Sequence, residues 1–212
     1  MINIKKVTLS SVIASSLVTI TTQVAYADNL FTESANRQGK TEAYLIFQPT
    51  SGETINSSSF YGGSIEQKTD DTTFIGFGIG SNAKNGGLNI NAEFVYGSTN
   101  ILYEVNNSRG ETTETAKSWD LGILGTSLNA DYNFLNSRFT PFVTGGIGWY
   151  YFSFDVPGEY DVLFSGSEYS YSFGGGARWD ITDKWFMKGL YKMTSTGDFS
   201  FNGISLNMGY MF

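Results

Sequence analysis

Few residues in this 212-residue chain could do chemistry. Histidine and cysteine are both absent. That removes the commonest general base, the commonest metal ligand and all thiol reactions. What remains is a set of carboxylates and cations on the polar side of alternating stretches: Glu42, Glu93, Asp120, Asp131 and Asp180, with Arg178, Lys188 and Lys192. Such groups can pair with one another, hold a polar ligand or relay a proton. If buried, they must be paired or hydrated. Structural pairing is the expected use, with a specific ligand or proton path as the alternative. No cofactor or metal is predicted. The segment Asp155 to Asp161 (DVPGEYD) carries carboxylates without the spacing of a calcium loop, so it reads as solvated charge.

The elements that carry these residues are strands. In Ile204 to Phe212, the large residues Ile204, Leu206, Met208, Tyr210 and Phe212 alternate with Ser205, Asn207, Gly209 and Met211. A period of two is the signature of a strand with two different faces. The same alternation predicts strands at Lys40 to Gln48, Thr72 to Ser81, Leu88 to Tyr96, Ser118 to about Tyr132, Phe139 to Phe154, Tyr169 to Ile181 and Trp185 to about Ser195. In the fourth of these, Trp119, Leu121 and Ile123 read as outward, but so do Leu128, Ala130 and Tyr132, which have the opposite parity. One extra residue near Leu124 to Thr126 would reconcile them, so a β-bulge is predicted there.

Long and short connections alternate. Pro49 to Asp71, Gly97 to Lys117 and Asp155 to Glu168 read as long polar loops, and Asn82 to Gly87, Asn133 to Arg138 and Thr182 to Lys184 as tight turns. Thr196 to Asp198 is a short connection on the long-loop side, and Asp28 to Gly39 reads as a mobile lead-in. The expected fold is all-β, a closed eight-stranded antiparallel up-and-down transmembrane β-barrel.

Charged residues are only 16% of the chain and aromatics reach 16%. That mixture suits a membrane barrel, where apolar residues are diluted one-to-one by polar ones. A soluble barrel would turn the apolar face inward. However, the polar face is mostly Gly, Ser, Asn and Thr, too poorly charged for a wall in water. The aromatics also fall in two groups near strand ends. Phe47, Tyr96, Trp119, Tyr151, Tyr169 and Tyr191 lie toward the long loops, and Tyr132, Trp179, Trp185, Tyr210 and Phe212 toward the short turns. Amphipathic rings prefer the two membrane interfaces. The eight charged residues named above then point into the lumen as a polar plug.

Residues 1–27 read as a secretory signal peptide, with Lys5 and Lys6 before a weakly apolar run and Ala25-Tyr26-Ala27 as the cleavage site. Residues 28–212 are then the barrel domain, with 11 Lys plus Arg against 20 Asp plus Glu, a net charge of −9. The long-loop segments carry that whole charge, and the rest of the mature chain sums to zero. Acidity of this kind predicts no nucleic-acid partner.

The segments TPFVTGGIGWYYF (Thr140 to Phe152), YSFGGGARWDITDKWFMKGLYKM (Tyr171 to Met193) and the terminal GISLNMGYMF resemble the small bacterial outer-membrane β-barrel family, the OmpA-type and opacity-type porin-like proteins. The resemblance implies insertion in the bacterial outer membrane among lipid and lipopolysaccharide. It also implies that the barrel assembly machinery reads the terminal strand, with Leu206, Met208, Tyr210 and Phe212 as the signal. It fixes no activity. The expected role is a structural or adhesin-like surface barrel whose acidic loops meet an unspecified host or surface ligand. The alternative is a narrow porin-like barrel for small solutes. A lipid-modifying enzyme stands third, since such barrels generally use a His with a Ser and this chain would need Lys or a carboxylate instead.

Overall fold

The computed structural model describes residues 33–52, 54–60, 63–107, 112–156, 162–197 and 199–212. The leader 1–27, most of the DVPGEYD segment and the side chain of Trp119 lie outside the described residues. Ten strands follow in order: β1 (Thr41–Ser51), β2 (Thr54–Phe60), β3 (Gly63–Thr69), β4 (Thr72–Asn82), β5 (Leu88–Asn107), β6 (Thr112–Asn133), β7 (Phe139–Val156), β8 (Val162–Asp180), β9 (Trp185–Ser195) and β10 (Ser200–Met211). Eight of them, β1 and β4 to β10, form a closed antiparallel wall. It closes where β1 pairs with β10, from Glu42 opposite Met211 to Ser51 opposite Asn202. The remaining two, β2 and β3, make a hairpin whose β3 pairs with the upper part of β5.

The alternation has a direct physical cause. Outward residues on β1, β4, β5, β7, β8, β9 and β10 are apolar because they face lipid, so Leu45, Ile75, Phe94, Ile147, Phe173, Met193 and Met208 are all exposed. The apolar run on β5 from Leu88 to Tyr96 is nine residues long. At about 3.3 Å per residue and a tilt near 40°, that spans roughly 23 Å, close to a barrel's apolar band. Both aromatic groups are present. Phe47, Tyr96, Tyr151, Tyr169 and Tyr191 are exposed at one end, and Tyr132, Trp185 and Phe212 at the other, where Trp185, Tyr210 and Phe212 meet edge to face.

Three expectations fail. First, the long polar loops are largely strand. The first contains the β2–β3 hairpin, and β5, β6, β7 and β8 run well past the aromatic level. These stretches are rich in Thr, Ser and Tyr, which suit a paired strand, but their sequences carry no regular apolar alternation to betray them. Second, β6 has no bulge near Leu124. Its register is unbroken from Asp120 opposite Asp155 to Asn133 opposite Phe142, and the shifts lie higher, skipping Ser118 and Thr113. Third, the lead-in is built into the barrel's base. Ala35 N–H donates to the Asn136 carbonyl, Arg138 N–H donates to the Glu33 carbonyl, and Ser34 bridges Ser137.

Candidate functional site

The lumen has two layers. The lower one, toward the short turns, holds the charges. Glu42 sits near the start of β1 and is fully buried. It accepts from Arg178 Nη1 at 2.8 Å, Lys188 Nζ at 2.8 Å and Asn82 Nδ2 at 3.0 Å. Lys188 also donates to Asp131 at 2.9 Å, and Arg178 Nε to Asp180 at 2.7 Å. Higher up, Lys192 pairs with Glu93 at 2.5 Å, and the Tyr44 hydroxyl donates to the other oxygen of Glu93 at 3.0 Å. Phe186 lies beneath the Arg178 guanidinium, 4.2 Å from its ring centre, and Lys188 stands 5.0 Å over the Tyr44 ring. Glycine makes room for these large groups. A Cβ at Gly78 would fall 2.3 Å from the Tyr44 ring.

Seven of the eight predicted lumen charges belong to this layer: Glu42, Glu93, Asp131, Arg178, Asp180, Lys188 and Lys192. Asp120 does not. It is exposed on the outer wall, opposite Asn100 and Asp155 in the register. The reason is the parity of β6. Leu121 and Ile123, expected to face lipid, are buried in the lumen, so their even-numbered neighbours point out.

One lumen charge went unforeseen. Arg37, in the lead-in, is fully buried at the base. Its Nε donates to the Gly86 carbonyl at 3.0 Å and its Nη2 to the Leu135 carbonyl at 2.6 Å. Nη1 reaches both the Ser137 carbonyl at 3.1 Å and Asp180 at 2.9 Å. Burial pushes its pKa down and Asp180 opposes that, and a guanidinium remains charged under both. Gly86 has φ +70°, a conformation that suits glycine in the turn presenting this carbonyl. The described lumen therefore holds Glu42, Glu93, Asp131 and Asp180 against Arg37, Arg178, Lys188 and Lys192, four of each sign. The sequence signal for Arg37 is an isolated cation in a lead-in that reads as mobile.

The upper layer is mainly apolar, with Gln48, Thr99 and Thr194 also buried at its levels. Ile46, Phe74, Val95, Ile101, Leu121, Ile123, Tyr150, Phe152 and Phe201 are buried together, with half-buried Phe199 folded over them. Phe152 stacks on Phe199 at 4.7 Å, and Phe74 meets Phe201 edge to face at 5.2 Å. Gly97 keeps this layer tight, since a Cβ there would sit 2.7 Å from Phe74. Among the described residues no group of Asp or Glu is arranged to hold a metal ion. Within the lumen each ionised side chain of the network has an opposite charge in contact, so the arrangement can neutralise itself and brace the wall.

On the terminal strand, Leu206, Met208 and Phe212 are exposed on the lipid side and Tyr210 is partly covered by its ring neighbours. Phe212 N–H donates to the Thr41 carbonyl, so the last residue closes onto the start of β1.

An eight-stranded wall, apolar outside between two aromatic rims and filled inside, defines a small transmembrane β-barrel. The family model described as outer membrane protein beta-barrel domain matches residues 20–212, and the chain belongs to that family. Among solved structures, OprG of Pseudomonas aeruginosa is similar at 13% identity over 84% of this chain and 98% of its own, with a TM-score of 0.53. Ail of Yersinia pestis, solved with the heparin analogue sucrose octasulfate, is similar at 15% identity over 82% of this chain and 99% of its own, with a TM-score of 0.52. No curated protein sequence matches the chain. Its place is the bacterial outer membrane.

Proposed function

We propose that this is a non-enzymatic surface-interaction barrel that works through its acidic outer arms. One observation carries the reading: the lumen is filled, with a neutral ion-pair layer below and a stacked aromatic layer above. A porin-like role needs a continuous polar path, and the packed rings of Phe74, Phe152, Phe199 and Phe201 weigh against one. The chemistry available to a partner then lies above the membrane. Segments 49–73, 97–122, 153–169 and 196–199 hold thirteen acidic and three basic residues, a net of −10. Moving Asp120 from the lumen to the outer wall adds to that acidity. The frame for it is the β2–β3 hairpin with the upper parts of β5 to β8.

Such a field attracts cationic partners and repels polyanions. The sulfated sugar found on Ail is thus the wrong sign for this chain. In keeping with the family, residues 1–27 are removed after Ala27, the outward set Leu206, Met208, Tyr210 and Phe212 is read by the barrel assembly machinery, and the wall sits among lipopolysaccharide. The test uses the barrel refolded in detergent, intact and with 54–69 replaced by a short Gly-Ser turn. The intact protein should bind a cationic surface in a salt-dependent way, the shortened one less, and neither should conduct ions in planar bilayers. Steady conductance that changes with Lys188→Ala would overturn this reading in favour of transport.

A further inference from the structure

Beside its ion pairs, the lumen carries a series of side-chain amides joined end to end. The Ser172 hydroxyl on β8 donates to Asn129 Oδ1 on β6 at 3.1 Å. Asn129 Nδ2 donates to Asn91 Oδ1 on β5 at 3.3 Å, and Asn91 Nδ2 to Asn89 Oδ1 at 3.0 Å. On β4, Asn82 Nδ2 donates to Glu42 Oε2 on β1 at 3.0 Å, and Glu42 also accepts from Arg178 on β8. The amide bonds all point the same way around the barrel, toward Glu42. The series leaves β8, passes β6, β5, β4 and β1, and returns across the lumen to β8. One step in it, from Asn89 to Asn82, is not made by a direct hydrogen bond. The registers explain the path. Ser172, Gly146 and Asn129 are level on β8, β7 and β6, and Asn91, Gly80 and Glu42 on β5, β4 and β1. A Cβ at Gly146 would collide with Asn129 Oδ1, so the bond from Ser172 passes over bare backbone. A Cβ at Gly80 would lie 3.1 Å from Asn89 Oδ1, so the Asn89 amide uses the room that Gly80 leaves.

The two ends of that step carry the only unpaired atoms of their kind. Among the described residues, Asn82 Oδ1 and Asn89 Nδ2 are the buried side-chain polar atoms with no hydrogen-bond partner. Asn89 is fully buried and Asn82 is 3% exposed. The two residues stand directly opposite each other on β4 and β5. Cβ atoms of such a pair lie about 4.5–5.5 Å apart. One small molecule making two hydrogen bonds spans roughly 5.5 Å, so a single bridge fits between amides that do not touch. Chemistry selects the bridge. Glu42 and the Lys40 carbonyl only accept, and both hold Asn82 Nδ2, which leaves Asn82 with an acceptor to satisfy. Asn91 holds Asn89 Oδ1, which leaves Asn89 with a donor. The ligand must therefore accept from one residue and donate to the other. A metal cation cannot accept from Asn89, and an anion cannot donate to Asn82. Water does both and is the smallest molecule that can.

We propose that one ordered water molecule is bound between Asn82 and Asn89, accepting from Asn89 Nδ2 and donating to Asn82 Oδ1. The water joins the amides of β8, β6 and β5 to Glu42 and so to the ion pairs, as one continuous polar belt around the lumen. This goes beyond the role of the arms, and its test does not involve them. The purified barrel, isotope-labelled and held in detergent micelles, is read by NMR. The Asn89 side-chain amide protons should show a cross-peak at the water frequency, with the rotating-frame sign of a dipolar contact and not of proton exchange. Asn82→Leu removes the acceptor and should abolish that cross-peak, while the side-chain amides of Asn91 and Asn129 stay joined. Heat-dependent gel mobility checks that the variant is folded, and Asn82→Ala, which removes the same acceptor at smaller volume, serves should Asn82→Leu misfold. A parent spectrum without the water cross-peak would overturn the site, and a contact from the Asn89 amide protons to Asn82 in its place would show the two amides bonded to each other. Persistence of the cross-peak in a folded Asn82 variant would overturn it too, by placing the water elsewhere.

Discussion

Replacing Arg37 with alanine tests whether the lead-in is part of the fold. The side chain is fully buried and makes four hydrogen bonds, three to carbonyls of two different turns and one to Asp180. Truncation removes the cation and leaves those acceptors without it. Breaking a buried ion pair by removing one partner costs about 3–5 kcal/mol. A buried acceptor stripped of its donor costs about 1–3 kcal/mol. These do not simply add, because Asp180 keeps Arg178 Nε at 2.7 Å and water can enter at the mouth once the side chain is gone. The net expectation is a loss of about 3–5 kcal/mol. Urea unfolding in detergent, followed by tryptophan fluorescence, measures it, with an unchanged slope showing that the same surface is exposed. A cycle with Asp180→Asn should give a coupling of at least about 1 kcal/mol, since the two groups touch. A loss below about 0.5 kcal/mol, the range of ordinary surface substitutions, would refute the reasoning and return residues 33–40 to the status of a tether.

Three other perturbations probe separate parts of the molecule. Leu121→Asp places a carboxylate among the buried rings of the upper layer, and should lower the folded fraction on unheated gels, whereas the same change at Leu124, on the outer face beside the rim, should cost less. Equal effects would contradict the parity of β6. Phe212→Ala removes the outward terminal ring that meets Tyr210, and should reduce the inserted fraction in outer membranes while the refolded protein still closes; normal insertion would count against an assembly role for that residue. Hydrogen bonds from Lys68 to Glu104 and then Glu66 push the pKa of Lys68 up. Its contribution to the β3–β5 pairing is therefore fully present below the ordinary lysine value near 10.4 and lost as pH rises through the raised one. The Lys68 side-chain carbon shifts should titrate above about 10.4 by NMR, and a midpoint at or below that value would dissolve the cluster.

The sequence alone determined the wall. Strict alternation in β1, β4, β7, β8, β9 and β10 assigns Leu45, Phe77, Ile147, Phe173, Met187 and Leu206 to the lipid side, because a lipid-facing position tolerates little else. The same alternation placed Glu42, Glu93, Asp131, Arg178, Asp180, Lys188 and Lys192 inside, since a charge on a strand that crosses a membrane has nowhere else to go. The order of long and short connections gave the up-and-down topology. What alternation cannot say is how the lumen is filled. It assumes a polar interior, and in the upper half a buried apolar cluster breaks that assumption. Leu121 and Ile123 are apolar because they belong to the buried cluster of Phe152, on the adjoining strand, and Phe201 of β10, so polarity alone turned them outward and carried Asp120 inward. The β2–β3 hairpin was hidden for a related reason, as β3 pairs through its backbone with β5 and the segment's sequence shows no apolar alternation. Arg37 was hidden by distance, with its partner Asp180 143 residues away. Local patterns record which medium a face meets. Contacts made across a closed barrel between residues far apart in the chain are decided only when the wall closes.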